Sequence, residues 1–165
     1  MIAPLLFLMI QAALFPQHGE KATVLLFVRS DCPISNRYAP DLERLYKRYS
    51  PQGIEFRLIY PEADLSAAAL KRHSAQYGYS IPAVLDPDHR YTELAKARVT
   101  PEAAVFVRGK LVYAGRIDNR YVRIGLTRNQ PTHRDLEDEL TAILAGKVPP
   151  FHQTEAVGCA IEASQ

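Results

Sequence analysis

The stretch Thr23-Val24-Leu25-Leu26-Phe27-Val28-Arg29-Ser30-Asp31-Cys32-Pro33-Ile34-Ser35 passes from an apolar run, through a turn that carries a thiol, into an amphipathic helical pattern. A short unbroken apolar run bounded by turn residues reads as a buried strand. The strand-to-helix turn is the informative part. It lies at the carboxyl edge of a sheet, where ligand sites of α/β proteins gather. Backbone N–H groups and the helix dipole at such a turn favour a thiolate. Arg29 and Arg37 add to that tendency and Asp31 opposes it. A cysteine can also be a small buried hydrophobe, and the position of Cys32 argues against that. The other cysteine, Cys159, lies near the far end of the chain.

Working outward, the segments alternate. Asp41–Tyr49 places Leu42, Leu45, Tyr46 and Tyr49 on one helical face, and Ser50-Pro51-Gln52-Gly53 stops it. Ile54–Tyr60 reads as a second strand. Leu65–Tyr77 reads as an Ala-rich helix ended by Gly78. Ile81–Asp86 is a short extended piece and Tyr91–Ala97 a short helix. Ala103–Val107 and Leu111–Gly115, joined at Arg108-Gly109-Lys110, form a hairpin signal. Residues 116–131 read as a polar loop whose arginines pair locally with Asp118. Thr132-His133-Arg134-Asp135 reads as a capping-box variant opening a last helix through Leu136, Leu140, Ile143 and Leu144. Strands separated by helices run parallel and a hairpin antiparallel, so one α/β domain with a mixed central sheet and helices on both faces is expected.

The chain has 165 residues, 47% of them hydrophobic, enough for one domain with a core. Its net charge of +2 is dispersed, which argues against a nucleic-acid partner. Met1–Phe15 carries no charged side chain and fits the apolar region of a secretory leader. It is too short for a stable membrane span, which takes about 20 apolar residues. The expected organisation is a leader over residues 1–21, a domain over residues 22–146 and a tail over residues 147–165 carrying Cys159. An exported, periplasmic location follows from the leader, and a cytoplasmic one if that segment belongs to the fold. Export would permit the two cysteines to pair.

The strand, Cys32-Pro33 turn and helix, then Asp86-Pro87-Asp88 before a short helix, then Val99-Thr100-Pro101 before a hairpin, together resemble the redoxin branch of the thioredoxin-like family. That branch holds peroxiredoxin-like and periplasmic thiol-disulfide oxidoreductases. The resemblance covers residues 22–146 and implies a thioredoxin-like three-layer sandwich. It implies that Cys32 is the nucleophile and that Pro101, through a cis Thr100–Pro101 bond, faces it. It also implies that Pro33 and Thr100 meet the substrate, a protein or small-molecule thiol or disulfide, with no cofactor and no metal.

The site departs from the dithiol pattern C-x-x-C, because Ser35 stands where the second cysteine would be. A C-x-x-S site can attack a disulfide but needs another thiol to resolve the mixed disulfide. A tail of about a dozen residues after the last helix, at roughly 3.3 Å per residue, can bring Cys159 across the domain. Cys159 is then a resolving thiol, half of a structural staple, or a thiol for another protein. Peroxidase chemistry is the next alternative. Relatives of that kind carry Thr or Ser three residues before the peroxidatic cysteine, where this chain has Arg29. A copper-handling domain is the third alternative. It would need Cys32, Cys159 and His152 to assemble, and none of the histidines has ligand spacing to Cys32.

Overall fold

The apolar run forms β1 (Ala22–Phe27), buried along its whole length. The computed structural model that shows this describes residues 19–162. The expected leader therefore lies, up to residue 18, outside the described residues. Helix α1 (Pro33–Tyr49) follows, then a 3-10 turn at Ser50–Gln52, β2 (Ile54–Tyr60), α2 (Ala67–Gln76), β3 (Ala83–Leu85) and α3 (Arg90–Ala95). The chain continues as β4 (Val99–Thr100), β5 (Glu102–Val107), β6 (Lys110–Gly115), β7 (Tyr121–Arg123) and β8 (Leu126–Thr127). It ends with α4 (Asp135–Leu144), β9 (His152–Gln153) and β10 (Cys159–Ala160).

The central sheet has the order β3-β2-β1-β5-β6-β9. β1 is parallel to β2 and β2 to β3, while β1–β5 and β5–β6 are antiparallel. Alternate side chains of β1 serve two cores. Val24 and Leu26 pack with Leu42 and Leu45 of α1 and Leu136 and Leu140 of α4. Leu25 and Phe27 pack on the other face with Ala95, Tyr91 and Leu94 of α3. Each such fully buried aliphatic or aromatic side chain contributes roughly 1.5–3 kcal/mol. The result is the expected three-layer thioredoxin-like sandwich with a mixed sheet.

Three local expectations change. Helix α1 begins at Pro33 rather than Asp41, with Pro40 in its interior. An interior proline removes one helical hydrogen bond. Here the helix is held through that point by the buried side chains of Tyr38, Ala39 and Leu42 on either side of it. The segment 116–131 contains the β7–β8 hairpin, turned at Gly125 with φ +80°. Its strands are too short, and its Val122, Ile124 and Leu126 too interspersed with arginine, to stand out from a loop. Helix α4 opens at Asp135 with no side-chain cap. Thr132 accepts from the Asn119 side-chain amide instead (2.7 Å), and Asp135, Glu137 and Asp138 complement the helix dipole.

The tail joins the fold. β9 pairs in parallel with β6, and the Thr154 N–H donates to the Ala114 carbonyl (3.0 Å). Thr154 Oγ1 accepts from the Arg116 N–H (3.1 Å) and contacts the Tyr113 hydroxyl (2.7 Å). This crossing depends on Gly115, whose φ is +142° and whose imagined Cβ would lie 2.3 Å from the Thr154 carbonyl oxygen. Gly115→Ala should therefore destabilise the protein by about 2–3 kcal/mol through backbone strain and collision. It should also slow formation of the Cys32–Cys159 bond. Denaturant titration and non-reducing peptide mapping check both effects, and an unchanged midpoint with normal disulfide yield would refute them.

Candidate active site around Cys32 and Cys159

Cys32 is the N-cap of α1, in extended backbone geometry, and is fully buried. Pro33 occupies the first helical position, where its missing N–H costs nothing, and it is exposed. The Ser35 N–H points at the Cys32 sulfur at 3.5 Å. That sulfur therefore takes the place of a capping oxygen at the positive end of a helix with no acidic residue in its first turn. The Ser35 hydroxyl is buried and has no hydrogen-bond partner among the described residues.

The segment before the hairpin faces this sulfur. The Thr100–Pro101 peptide bond is cis, and the Thr100 carbonyl oxygen lies 3.2 Å from Cys32 Sγ. Thr100 is fully buried. Behind it, one carboxylate oxygen of Glu102 accepts from the N–H groups of Arg98 (2.8 Å) and Val99 (3.2 Å). Burial pushes the Glu102 carboxyl above its ordinary range, and those two donors pull it back. β4 is thereby held as a fixed edge beside the thiol.

The tail fills that edge. β10 lies antiparallel to β4, with Cys159 opposite Thr100 and Ala160 opposite Val99. The Ile161 N–H donates to the Arg98 carbonyl (2.9 Å), and the Arg29 guanidinium donates to the Ala160 carbonyl (3.2 Å). Cys32 and Cys159, separated by 127 residues, form a disulfide with their Cα atoms 6.1 Å apart. Cys159 is half-buried where Cys32 is fully enclosed. Gly158 is the close point of the crossing. A Cβ there would stand 2.0 Å from the Thr100 carbonyl oxygen.

The charges near the turn are arranged differently from their sequence expectation. Arg29 forms a two-pronged pair with Asp31, both contacts at 3.0 Å, so each offsets the other beside the sulfur. Glu62 accepts from the Ser30 N–H (3.0 Å) and from its hydroxyl, while burial raises the Glu62 carboxyl above the usual range. A second set of contacts steadies the turn from inside. The Asn36 amide donates to the Ser30 carbonyl (3.1 Å), so its oxygen faces His73 Nε2 (2.9 Å). His73 Nε2 then carries the proton, and Nδ1 accepts from the Tyr60 hydroxyl (2.9 Å). Burial lowers the His73 pKa, in keeping with that neutral tautomer.

The sequence-predicted residues Cys32, Pro33, Thr100, Pro101 and Cys159 thus converge. Arg37, exposed on α1, enters none of the contacts just described, and His152 lies against Tyr113 (ring centroids 5.1 Å) and Glu139 (3.6 Å) instead of the sulfurs. Sequence reasoning missed Glu102, Gly158 and the Asn36–His73–Tyr60 set. Of these only Gly158, directly before a cysteine, carried a local signal.

Comparison with known proteins agrees with this fold. An uncharacterized conserved protein from Geobacillus kaustophilus superposes with a TM-score of 0.73 at 27% identity, over 86% of this chain and 77% of that one. A hypothetical protein from Sinorhizobium meliloti 1021 gives a TM-score of 0.73 at 25% identity, over 87% and 80%. A secreted Mycobacterium tuberculosis disulfide oxidoreductase homologous to E. coli DsbE shares the fold, with a TM-score of 0.50 at 18% identity over 78% and 84%. No curated protein matches the chain. The AhpC/TSA family model matches residues 11–114, well over half the chain and all of the Cys32 turn and the Thr100–Pro101 edge, so the chain belongs to the AhpC/TSA family within the thioredoxin-like fold.

Proposed function

We propose that this protein is an exported thiol-disulfide oxidoreductase that cycles between a Cys32/Cys159 dithiol and the disulfide joining them. The observation that carries this reading is the disulfide itself. It joins the N-cap of α1 to a tail strand seated on the edge before Pro101. In the reduced protein the Cys32 thiolate, favoured by the Ser35 N–H and the helix dipole, attacks one sulfur of a partner disulfide. The partner's S–S bond breaks and its other sulfur leaves as a thiolate. Cys159 then attacks Cys32, forms the intramolecular disulfide and expels the partner's first thiol. Two electrons pass to the partner. An external dithiol restores the pair: access directs its first thiolate to half-buried Cys159, Cys32 leaves as a thiolate at the helix N-terminus, and the second thiol then releases Cys159 as the reductant closes its own disulfide. The uncharged leader expected over residues 1–21 supports export, as does the secreted location of the Mycobacterium neighbour.

Peroxide reduction is less well supported. The hydroxyl nearest the position used by peroxidatic relatives is Ser30, and its proton is committed to Glu62.

The test is catalysed reduction of a protein disulfide such as insulin, with a chemical dithiol as electron source. Wild type should accelerate it, and Cys32→Ser should reduce the rate at least 100-fold. Equal rates for wild type and Cys32→Ser would overturn the proposal.

A further inference from the structure

Beyond the disulfide, the strand that covers Cys32 is held largely by contacts any polypeptide could make. Backbone pairs opposite Val99 and Thr100, the Arg98 carbonyl and the Arg29 guanidinium all address main-chain atoms. Apart from the disulfide, two features of this strand, among the described residues, bear on side chains. Ile161 packs against the core cluster that contains Phe27 and Phe106. Gly158 lies so close to β4 that a Cβ would stand 2.0 Å from the Thr100 carbonyl oxygen and 2.6 Å from its carbon. Those atoms are backbone, fully buried, and fixed from behind by Glu102, so they cannot swing aside as a flexible side chain would. Both ends of the slot open onto the surface. Beyond Ile161 lies a cleft of about 850 Å³ bordered by Arg29, Glu62 and His89. Beyond Gly158 lies a groove of about 430 Å³ bordered by Tyr121 and Arg123. Tail residues line both, Ile161 and Glu162 the first and Val157 and Gly158 the second, so an opening lies at each end of the strand that the tail occupies.

We infer that Gly158-Cys159-Ala160-Ile161 is a tethered occupant of the place along Val99–Thr100 where the resemblance puts the partner, and that this slot selects partner proteins with glycine immediately before the exchanged cysteine. This rests on the exchange chemistry proposed above. Reduction of the disulfide frees the tail from its covalent hold, and an extended partner segment takes its place with its cysteine opposite Thr100. A side chain at the preceding position meets the Thr100 carbonyl and lifts the partner sulfur away from Cys32.

The full-length Cys159→Ser protein, reduced, tests this with peptides whose cysteine carries a 2-thiopyridyl disulfide. Cys32 attacks the peptide sulfur, the S–S bond to the pyridyl group breaks, and pyridine-2-thiolate leaves with the electron pair and is read by absorbance. Peptides Val-Gly-Cys-Ala-Ile-Glu and Val-Ala-Cys-Ala-Ile-Glu are compared, each rate divided by its rate with free cysteine. The glycine peptide should react at least tenfold faster. Equal normalised rates overturn the selectivity. Failure of both peptides while 2,2′-dithiodipyridine reacts overturns the slot but leaves Cys32 as a nucleophile. Failure of the small disulfide too overturns the exchange chemistry, and the slot with it.

Discussion

Cys159→Ser should convert the protein from a turnover catalyst into a trap. The first half-reaction needs only Cys32, the helix N-terminus and the Thr100 edge, all of which remain. The second needs a thiol that reaches Cys32, and the hydroxyl of Ser35 cannot attack a disulfide in its place. Multiple turnover of a protein disulfide should fall at least 100-fold, with a partner adduct on Cys32 visible by intact mass. Wild-type turnover in the variant would mean that an external thiol resolves the adduct. Ser35→Cys added to Cys159→Ser gives a sharper control. The Ser35 N–H is already 3.5 Å from the Cys32 sulfur, on the same helix turn. A thiol there lies within reach of Cys32 and should restore turnover through a local disulfide, leaving the tail unlinked.

That rescue brings out how the site differs from a C-x-x-C protein. There, the second thiol lies inside the helix that carries the first. Here it sits on a separate strand, so in the proposed cycle resolution and occupation of the β4 edge are one event. In that cycle, closing the disulfide would return the tail to its place on β4 and displace the partner segment.

The parts legible in the sequence are those governed by short-range rules. The alternation of β1 and β2 with their helices follows from apolar runs and turn residues. The resemblance implied the placement of Thr100–Pro101 opposite Cys32. The tail was not legible in the same way. β9 and β10 are two residues each, and His152-Gln153 carries no strand signal, because the pairing is dictated by the open edges of β6 and β4. The register of that pairing rests on Gly115 and Gly158, which act through the atoms they lack. The Glu102 carboxylate behind β4 is not legible because an isolated acid at a strand start reads as a surface residue, whereas here it is buried against two backbone donors. By sequence alone Asp31 is a charge opposing a Cys32 thiolate; its pairing with Arg29 depends on side-chain direction, which spacing does not reveal.

Reducing the disulfide should cost the protein about 4 kcal/mol of stability. The bond closes a loop across 127 residues. In the chain-entropy model, a loop of that length restricts the unfolded chain by roughly 5 kcal/mol at 25 °C. The folded protein gives some of this back on reduction. Past β9 and Thr154 the tail is held to β4 by few contacts, so its end gains freedom while the core stays packed. The comparison is the denaturant unfolding free energy of oxidised wild type against the Cys32→Ser/Cys159→Ser double variant, which avoids reductant in the assay. A difference below about 1 kcal/mol would mean that the unfolded chain is already compact enough to hold the two ends together. The same free energy acts in the opposite sense on the chemistry. Whatever the disulfide adds to the fold, the fold adds to the disulfide, so about 4 kcal/mol favours closure by a factor on the order of 10³ over the same two thiols in the unfolded chain. Equilibration with a glutathione redox buffer, in the presence and absence of denaturant, should show that factor directly. If the two equilibrium constants agree, the loop contributes nothing to closure, and the fold does not drive Cys159 onto Cys32.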